Sequence, residues 1–187
     1  PQSKHAARVG TRVFGVPETD QGRRLVELAA GALSTAHAAT AELDSFVQGV
    51  ASGDVDGDGA PELVAALGPP YGFLVRAYRV PSDGGPITGL AGIRPGDVGS
   101  VAVVATPAGP RIVGLIIRVT ARAALCSAEE RWGAPCGGLT WRHDAAASPP
   151  QLVPVARFEL PPGYCEASSM QVADLDGDGE AELLVNE

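Results

Sequence analysis

The sequence predicts an all-β fold of many short strands joined by turns. Its 187 residues include 24 glycines and 16 prolines, and its 45% hydrophobic content is typical of a folded domain. Short apolar runs that end near glycine or proline occupy residues 24–28, 62–67, 73–80, 100–105, 111–119, 151–160 and 182–185. Strands with this regular spacing are typical of a sandwich, a barrel or a propeller. We therefore expect one β-rich domain spanning residues 1–187.

Two segments differ in how clearly they indicate strands. Residues 73–80 mix β-branched and aromatic side chains with arginines, as expected for a half-exposed strand. Residues 21–46 are ambiguous, because Gly31 and a run of serine and threonine oppose a helix that the apolar positions would otherwise fit. Those apolar positions are Leu25, Leu28, Ala29, Ala32 and Leu33. We favour strands in this segment and keep a helix as the alternative.

An internal repeat relates two acidic segments. Residues 52–64 align with residues 172–184, at an offset of 120 positions (174 − 54). Residues 23–29 and 110–116 align more weakly with residues 61–67. This alignment predicts four repeat cores, which start near positions 23, 61, 110 and 181. In the copy near 110, Val103, Ala105 and Pro107 stand where the acidic segments have aspartates. That copy is therefore expected to bind no metal.

Both acidic segments have the composition of a calcium loop. Calcium takes about six to eight oxygen ligands, and carboxylates at alternate positions can surround one ion. Gly59 and Gly179, at the sixth position, permit the sharp turn that such a loop requires. The expected ligands, including the main-chain carbonyls of Ala60 and Glu180, are Asp54, Asp56, Asp58, Ala60 and Glu62 in loop 54–62, and Asp174, Asp176, Asp178, Glu180 and Glu182 in loop 174–182.

The position of the last acid distinguishes these loops from an EF-hand. An EF-hand needs a bidentate acid at position twelve, where this chain has Ala65 and Val185. The apolar residues after each loop are compact enough to be strands, and Pro61 is poorly placed for a helix that continues from the loop. The closing acid is therefore expected at position nine, at the start of a strand.

This combination of loop and strand resembles a known repeat family. Gly53-Asp-Val-Asp-Gly-Asp-Gly-Ala-Pro-Glu-Leu-Val64 and Ala173-Asp-Leu-Asp-Gly-Asp-Gly-Glu-Ala-Glu-Leu-Leu-Val185 resemble FG-GAP and VCBS repeats, the calcium-bearing blades of integrin-type β-propellers. The resemblance implies a propeller-like array of short antiparallel sheets, with about four blades or as part of a larger propeller. It also implies a binding or adhesion role, and an oligomer or partner chain is one way to complete the ring.

The charge of the chain limits its partners. The formal net charge is −8, Lys4 is the only lysine, and no basic footprint for nucleic acid is present. No apolar run approaches the roughly 18 residues of a membrane helix. The chain begins at Pro1 and not at methionine, so we interpret it as mature or trimmed. We expect an extracytoplasmic location (secreted, periplasmic or cell surface), where sites with Kd on the order of 10⁻⁴ to 10⁻³ M are filled.

Three cysteines are present. Cys126 and Cys136 bracket a short segment and form a candidate loop-closing disulfide, with three unrelated thiols as the alternative. Cys165 is then left over. No Cys-x-x-Cys pair favours zinc.

The sequence contains no catalytic motif that we identify. His143 precedes Asp144, but neighbours on a strand point to opposite faces, and neither a Gly-x-Ser-x-Gly nor a His-Glu-x-x-His motif accompanies them. Trp132 and Trp141 form a candidate ligand surface. We predict a non-enzymatic module for protein interaction or adhesion, with two mainly structural calcium ions and a protein or glycan partner. A lectin-like carbohydrate-binding propeller and an accessory domain of a secreted hydrolase are the alternatives.

Overall fold

The described part of the chain consists of strands and turns. The computed structural model describes residues 3–19, 22–23, 25–29, 32–35, 43, 46–69, 73–96, 98–116, 137–160, 169–176 and 181–186. Within these ranges fifteen strands form four antiparallel sheets. The all-β prediction is confirmed. No helix in the described ranges is long and apolar enough to span a membrane.

Sheet 1 comes from the N-terminal part of the chain. Its strands are β1 Ser3–Val9, β2 Arg12–Thr19, β3 Gly22–Arg23, β4 Val26–Ala29 and β5 Ala32–Thr35. The order is β1-β2-β4-β5, and β3 pairs with the end of β2. The described residues of the ambiguous segment 21–46 include three of these strands. Leu28 pairs with Leu33 across β4 and β5, so the favoured interpretation as strands is confirmed there.

Sheets 2, 3 and 4 follow along the chain, and each pairs its strands in chain order. Sheet 2 comprises β6 Val47–Gly53, β7 Glu62–Leu67, β8 Leu74–Arg79 and β9 Thr88–Ile93. Sheet 3 comprises β10 Val98–Val104, β11 Arg111–Ile116, β12 Gly137–Asp144 and β13 Gln151–Glu159. The described part of sheet 4 comprises β14 Ser169–Ala173 and β15 Glu182–Asn186.

The core lies in three layers between neighbouring sheets. One cluster joins residues of sheets 1 and 2, a second joins sheets 2 and 3, and a third joins sheets 3 and 4. Strand β7 lies between two of these layers, and its side chains are therefore buried on both faces. Leu63 packs towards sheet 1 and Val64 towards sheet 3. A strand covered on both faces is a continuous apolar run, as in 63–67, and does not alternate with polar residues.

Close packing around Trp141 in sheet 3 depends on a glycine of the neighbouring strand. Trp141 on β12 is fully buried, and a Cβ atom added to Gly114 on β11 would lie 2.5 Å from two atoms of its indole ring. The missing side chain on β11 therefore provides the space that the ring occupies. Trp141 in turn fills the layer between sheets 2 and 3.

The repeat prediction is correct for three of its four cores. Strands β7, β11 and β15 are the second strands of sheets 2, 3 and 4, and they begin within one residue of the predicted positions 61, 110 and 181. The copy at 23–29 is wrong, because these residues contribute to β3 and β4. In sheet 1 the second strand is β2, which begins at Arg12. The error arose because β2 carries no acidic loop to mark its start.

The sheets are stacked in the order of the chain. The first strands of successive sheets contact each other, β1 with β6, β6 with β10, and β10 with β14. This arrangement gives several short antiparallel sheets packed face to face. The described strands form no closed barrel or ring.

Candidate metal centres

Both acidic loops connect the first and second strands of a sheet. In sheet 2 the last strand pair before the loop is Gly53 with Glu62, and in sheet 4 it is Ala173 with Glu182. The two loops therefore occupy equivalent positions in their sheets. The glutamate at position nine opens the second strand in each case, as the sequence predicted.

The first loop is folded around its own carboxylates. The amides of Gly57 and Gly59 donate to the two oxygens of Asp54, at 2.7 Å and 3.0 Å. The amide of Ala60 donates to Oδ1 of Asp58 at 2.8 Å. Gly57 and Gly59 have φ angles of +82° and +88°, a region that residues with a Cβ rarely adopt. The alternating Asp and Gly residues thus bring several oxygens to one side of a tight turn.

Three aspartates of this loop converge. One carboxylate oxygen from each of Asp54, Asp56 and Asp58 lies within 4.8 Å of the others. Such a cluster of hard oxygen donors suits calcium better than a metal that prefers nitrogen or sulfur. The carbonyl of Ala60 stays a predicted ligand, since Ala60 lies exposed at the same turn.

Glu62 lies at the base of the first loop and is only 2% exposed. Its Oε2 accepts a hydrogen bond from the amide of Val55 at 2.8 Å. Burial raises the pKa of the Glu62 carboxyl, the Val55 amide opposes this rise, and the charges of the loop aspartates add to it. The charged form of Glu62 is thus less favourable than that of a solvated glutamate.

The second loop repeats the amide–glutamate hydrogen bond of the first, and here the glutamate also belongs to the group of converging carboxylates. The amide of Leu175 donates to Oε2 of Glu182 at 2.7 Å, which is the counterpart of the bond between Val55 and Glu62. One oxygen from each of Asp174, Asp176 and Glu182 lies within 4.8 Å of the others. The predicted ligands Asp178 and Glu180 lie outside the described residues.

Sequence reasoning missed a cation beside the first loop. Arg79, at the end of β8, donates from a terminal guanidinium nitrogen to Oδ2 of Asp56 at 3.0 Å. The Arg79 side chain is largely exposed, whereas that of Asp56 is largely buried. The strand register brings them together, because Leu63 pairs with Tyr78, the residue before Arg79. That register is not visible in the sequence.

Sequence reasoning also missed the role of arginine at the first residue of the second strand in sheets 1 and 3, the position that glutamate occupies in sheets 2 and 4. Arg111 opens β11 opposite Val104, and its guanidinium donates to the carbonyls of Ala108, Gly109 and Pro110 at 3.1 Å, 3.3 Å and 2.9 Å. The aspartates are absent from this turn, as predicted. The positively charged guanidinium of Arg111 instead helps to hold the turn through these hydrogen bonds.

Arg12 opens β2 opposite Val9 and is buried. Two of its nitrogens donate to the two carboxylate oxygens of Glu27, each at 2.7 Å. A third nitrogen donates to the carbonyls of Pro81 and Gly85, at 3.3 Å and 3.1 Å. Arg12 thus connects sheet 1 to the turn between β8 and β9.

The remaining candidates of the sequence analysis lie apart from the loops. Trp141 belongs to the core and offers no ligand surface, because the layer between sheets 2 and 3 covers it. His143 is partly buried, and its Nε2 has no hydrogen-bond partner among the described residues. Trp132 and the cysteines Cys126, Cys136 and Cys165 lie outside the described residues.

Comparison with known proteins adds no relative. No protein-family model, no curated protein and no solved structure matches this chain.

Proposed function

We propose that this chain is an extracytoplasmic, non-enzymatic β-repeat module of the propeller type, which binds two calcium ions and serves in protein interaction or adhesion. The observation that carries the proposal is the shared geometry of the two loops. In both, a main-chain amide of the loop donates to the carboxylate at position nine, beside converging aspartates. The same sequence pattern carries the resemblance to calcium-bearing propeller blades. Four short antiparallel sheets stacked in chain order support that arrangement.

The chemistry of the donor set supports a hard cation. The converging side-chain donors are carboxylate oxygens, which calcium prefers, and their mutual repulsion opposes the folded loop when no cation is bound. A bound calcium would compensate the buried charge of Glu62 and the loop aspartates. The ion then stabilises a hairpin that connects two buried strands, so its role is mainly structural.

The interaction role comes from the resemblance, and the structure favours no second candidate. The carbohydrate-binding alternative relied on Trp132 and Trp141, and the indole of Trp141 is enclosed in the core. The other alternative, an accessory domain of a secreted hydrolase, gains no specific support from the described residues. A protein or glycan partner therefore stays the proposal.

Calcium titration by calorimetry tests the metal assignment. We expect two calcium ions per chain for the wild type, and one each for Glu62→Gln and Glu182→Gln. Glutamine keeps an oxygen that can accept the amide hydrogen bond but removes the charge that the ion compensates. A wild-type chain that takes up no calcium at millimolar concentrations would contradict the assignment.

A matched control distinguishes the loss of a loop carboxylate from the loss of one negative charge elsewhere on the protein. Glu159 is an exposed acid on β13, away from both loops. Glu159→Gln should leave the calcium stoichiometry at two, because it removes the same charge from a position with no loop contact. Equal loss of binding in this variant would show that net charge, and not the loops, governs calcium uptake.

A further inference from the structure

A cation of the chain itself lies against the first acidic loop. A terminal guanidinium nitrogen of Arg79 is 3.0 Å from Oδ2 of Asp56, and Asp56 belongs to the group of converging carboxylates. The pKa of Arg79 is raised, chiefly by this hydrogen bond and further by the charges of loop carboxylates that include Asp58 and Glu62. The guanidinium therefore lies in the field of several carboxylates and not of one aspartate alone.

The two partners of this ion pair differ in exposure. The Asp56 side chain is 8% exposed, whereas that of Arg79 is 59% exposed. The other oxygen of Asp56, Oδ1, accepts a hydrogen bond from the amide of Asp58 at 3.3 Å. Water therefore has little access to this carboxylate, and its charge depends on partners within the protein. Arg79 can instead turn into solvent at little cost, because most of its side chain already lies in water.

A calcium ion and the Arg79 guanidinium would compete for the same carboxylate. An ion bound to Asp56 lies about 2.3 to 2.6 Å from a carboxylate oxygen. The guanidinium nitrogen lies 3.0 Å from Oδ2 of the same carboxylate. The two positive charges would then lie within a few ångströms of each other, where like charges repel. Binding of either cation to Asp56 therefore disfavours binding of the other.

We propose that Arg79 is a built-in counter-cation of the first loop, which pairs with Asp56 in the calcium-free chain and leaves it when calcium binds. Calcium uptake at this loop is then an exchange of one cation for another. The pairing of β7 with β8 inside one sheet sets the contact. The inference rests on the calcium proposal above and adds how the first of the two sites is regulated.

Sheet 3 has an arginine at the equivalent strand position but no acidic loop. Arg79 directly follows the partner of Leu63, the second residue of β7. Arg142 directly follows the partner of Ile112, the second residue of β11, and is exposed. The first hairpin of sheet 3, residues 105–110, contains no acidic residue. Arg142 thus supplies the same charge at the same strand position in a sheet without the carboxylate cluster, which makes it the matched control.

A counter-cation of this kind stabilises only the calcium-free chain. In a Glu182→Gln background, where calcium binds at the first loop alone, Arg79→Gln should destabilise the calcium-free chain and leave the stability of the calcium-bound chain unchanged. Folding and calcium binding form one thermodynamic cycle, so the calcium affinity should rise by the same free energy. A two- to fivefold rise corresponds to about 0.4 to 1 kcal/mol. Urea denaturation and calorimetry measure the two quantities, and Arg142→Gln should leave the calcium affinity unchanged.

Nitrogen NMR of the arginine side chains tests the exchange in the wild-type chain. The Arg79 signal is the one that Arg79→Gln removes, and the Arg142 signal is assigned in the same way. We expect slow rotation of the Arg79 guanidinium in the calcium-free chain, because the ion pair with Asp56 restrains it. Rotation should become fast as calcium fills the first loop. The guanidinium of Arg142 should rotate at the same rate with and without calcium.

Two results would overturn the counter-cation role of Arg79. One is slow rotation of its guanidinium when calcium saturates the first loop, because Arg79 would then stay on Asp56. The other is an equal loss of stability in Arg79→Gln with and without calcium. Either result would leave the calcium proposal standing, since the loop still takes up the ion. A chain that takes up no calcium at millimolar concentrations would instead contradict both proposals.

Discussion

A charged residue opens the second strand of every sheet, and its sign alternates along the chain. Arginine stands there in sheets 1 and 3, and glutamate stands there in sheets 2 and 4. The arginines donate to main-chain carbonyls, whereas each glutamate accepts from a loop amide. The second strand thus begins with a positive charge in two sheets and with a carboxylate in the other two, where we propose that calcium compensates it.

This difference predicts that the third-sheet turn is insensitive to calcium. Arg111→Gln should lower the free energy of unfolding by about 1 to 2 kcal/mol through loss of hydrogen bonds from a charged donor. The loss should be equal with calcium and with a chelator, because no ion shares the turn. Urea denaturation under both conditions measures it. Arg142→Gln, at an exposed position on β12, is the control and should change stability by no more than about 0.5 kcal/mol.

Arg79 is expected to compete with calcium at the first loop. Its guanidinium holds Oδ2 of Asp56 in the same carboxylate cluster. Because an exposed ion pair contributes up to about 1 kcal/mol, Arg79→Gln should raise the calcium affinity of this loop by about two- to fivefold. Calorimetry in a Glu182→Gln background isolates the first loop. The effect should shrink at high ionic strength, and weaker binding in the variant would instead mean that Arg79 supports the loop.

Hairpins are the elements that vary most between the sheets. The same pair of strands is closed by an eight-residue acidic loop, 54–61, in sheet 2 and by the shorter segment 105–110 in sheet 3. The strands themselves keep their buried positions, because each inner strand must fill the layers on both of its faces. Loop chemistry can therefore change from one sheet to the next without altering the packing of the strands.

Packing at the strand level predicts a strong effect of one methyl group. Gly114→Ala should lower the free energy of unfolding by about 2 to 3 kcal/mol, because the new Cβ meets the enclosed indole of Trp141. Thermal and urea denaturation measure the loss. Gly89→Ala on β9 is the matched control, since its Cβ meets the flexible end of Arg76 at 3.2 Å and the side chain can move aside. Equal losses in the two variants would contradict this account of the core.

At the scale of the whole molecule, the acidic loops belong to two of the stacked sheets, and the first loop also contributes to the packing between sheets. The loop residue Val55 packs in the layer between sheets 2 and 3, beside Val64 and Ile112. A change in the first loop therefore reaches a core layer and not only a surface turn. Calcium bound to this loop should stabilise the stack as a cooperative unit.

Removal of calcium should lower the stability of the wild-type chain. At calcium concentrations about ten- to a hundredfold above Kd, each site contributes about 1 to 3 kcal/mol by mass action. We expect the melting temperature to fall on addition of a chelator and to recover when calcium is restored. Magnesium should restore less, since it requires a near-ideal octahedral site. An unchanged melting temperature on chelation would contradict a structural role for the ion.

The sequence by itself determined the class of fold and the chemistry of the loops. Turn residues and short apolar runs are local features, and alternating aspartates with glycines define, within about ten residues, a loop whose carboxylates could hold a metal ion. The position of Glu62 and Glu182 at the start of a strand was also predictable, because the apolar residues after each loop are compact enough to be strands and Pro61 is poorly placed for a helix. These properties depend on neighbours along the chain.

Tertiary structure decided which distant residues act together. The approach of Arg79 to Asp56 depends on the register of β7 and β8, and the bond between Arg12 and Gly85 depends on how sheet 1 packs on sheet 2. Tertiary packing also placed Trp141 in the core and left Leu184 exposed, although both are apolar residues of strands. Burial follows from which sheet covers a face, and a sequence pattern of period two cannot specify the covering sheet.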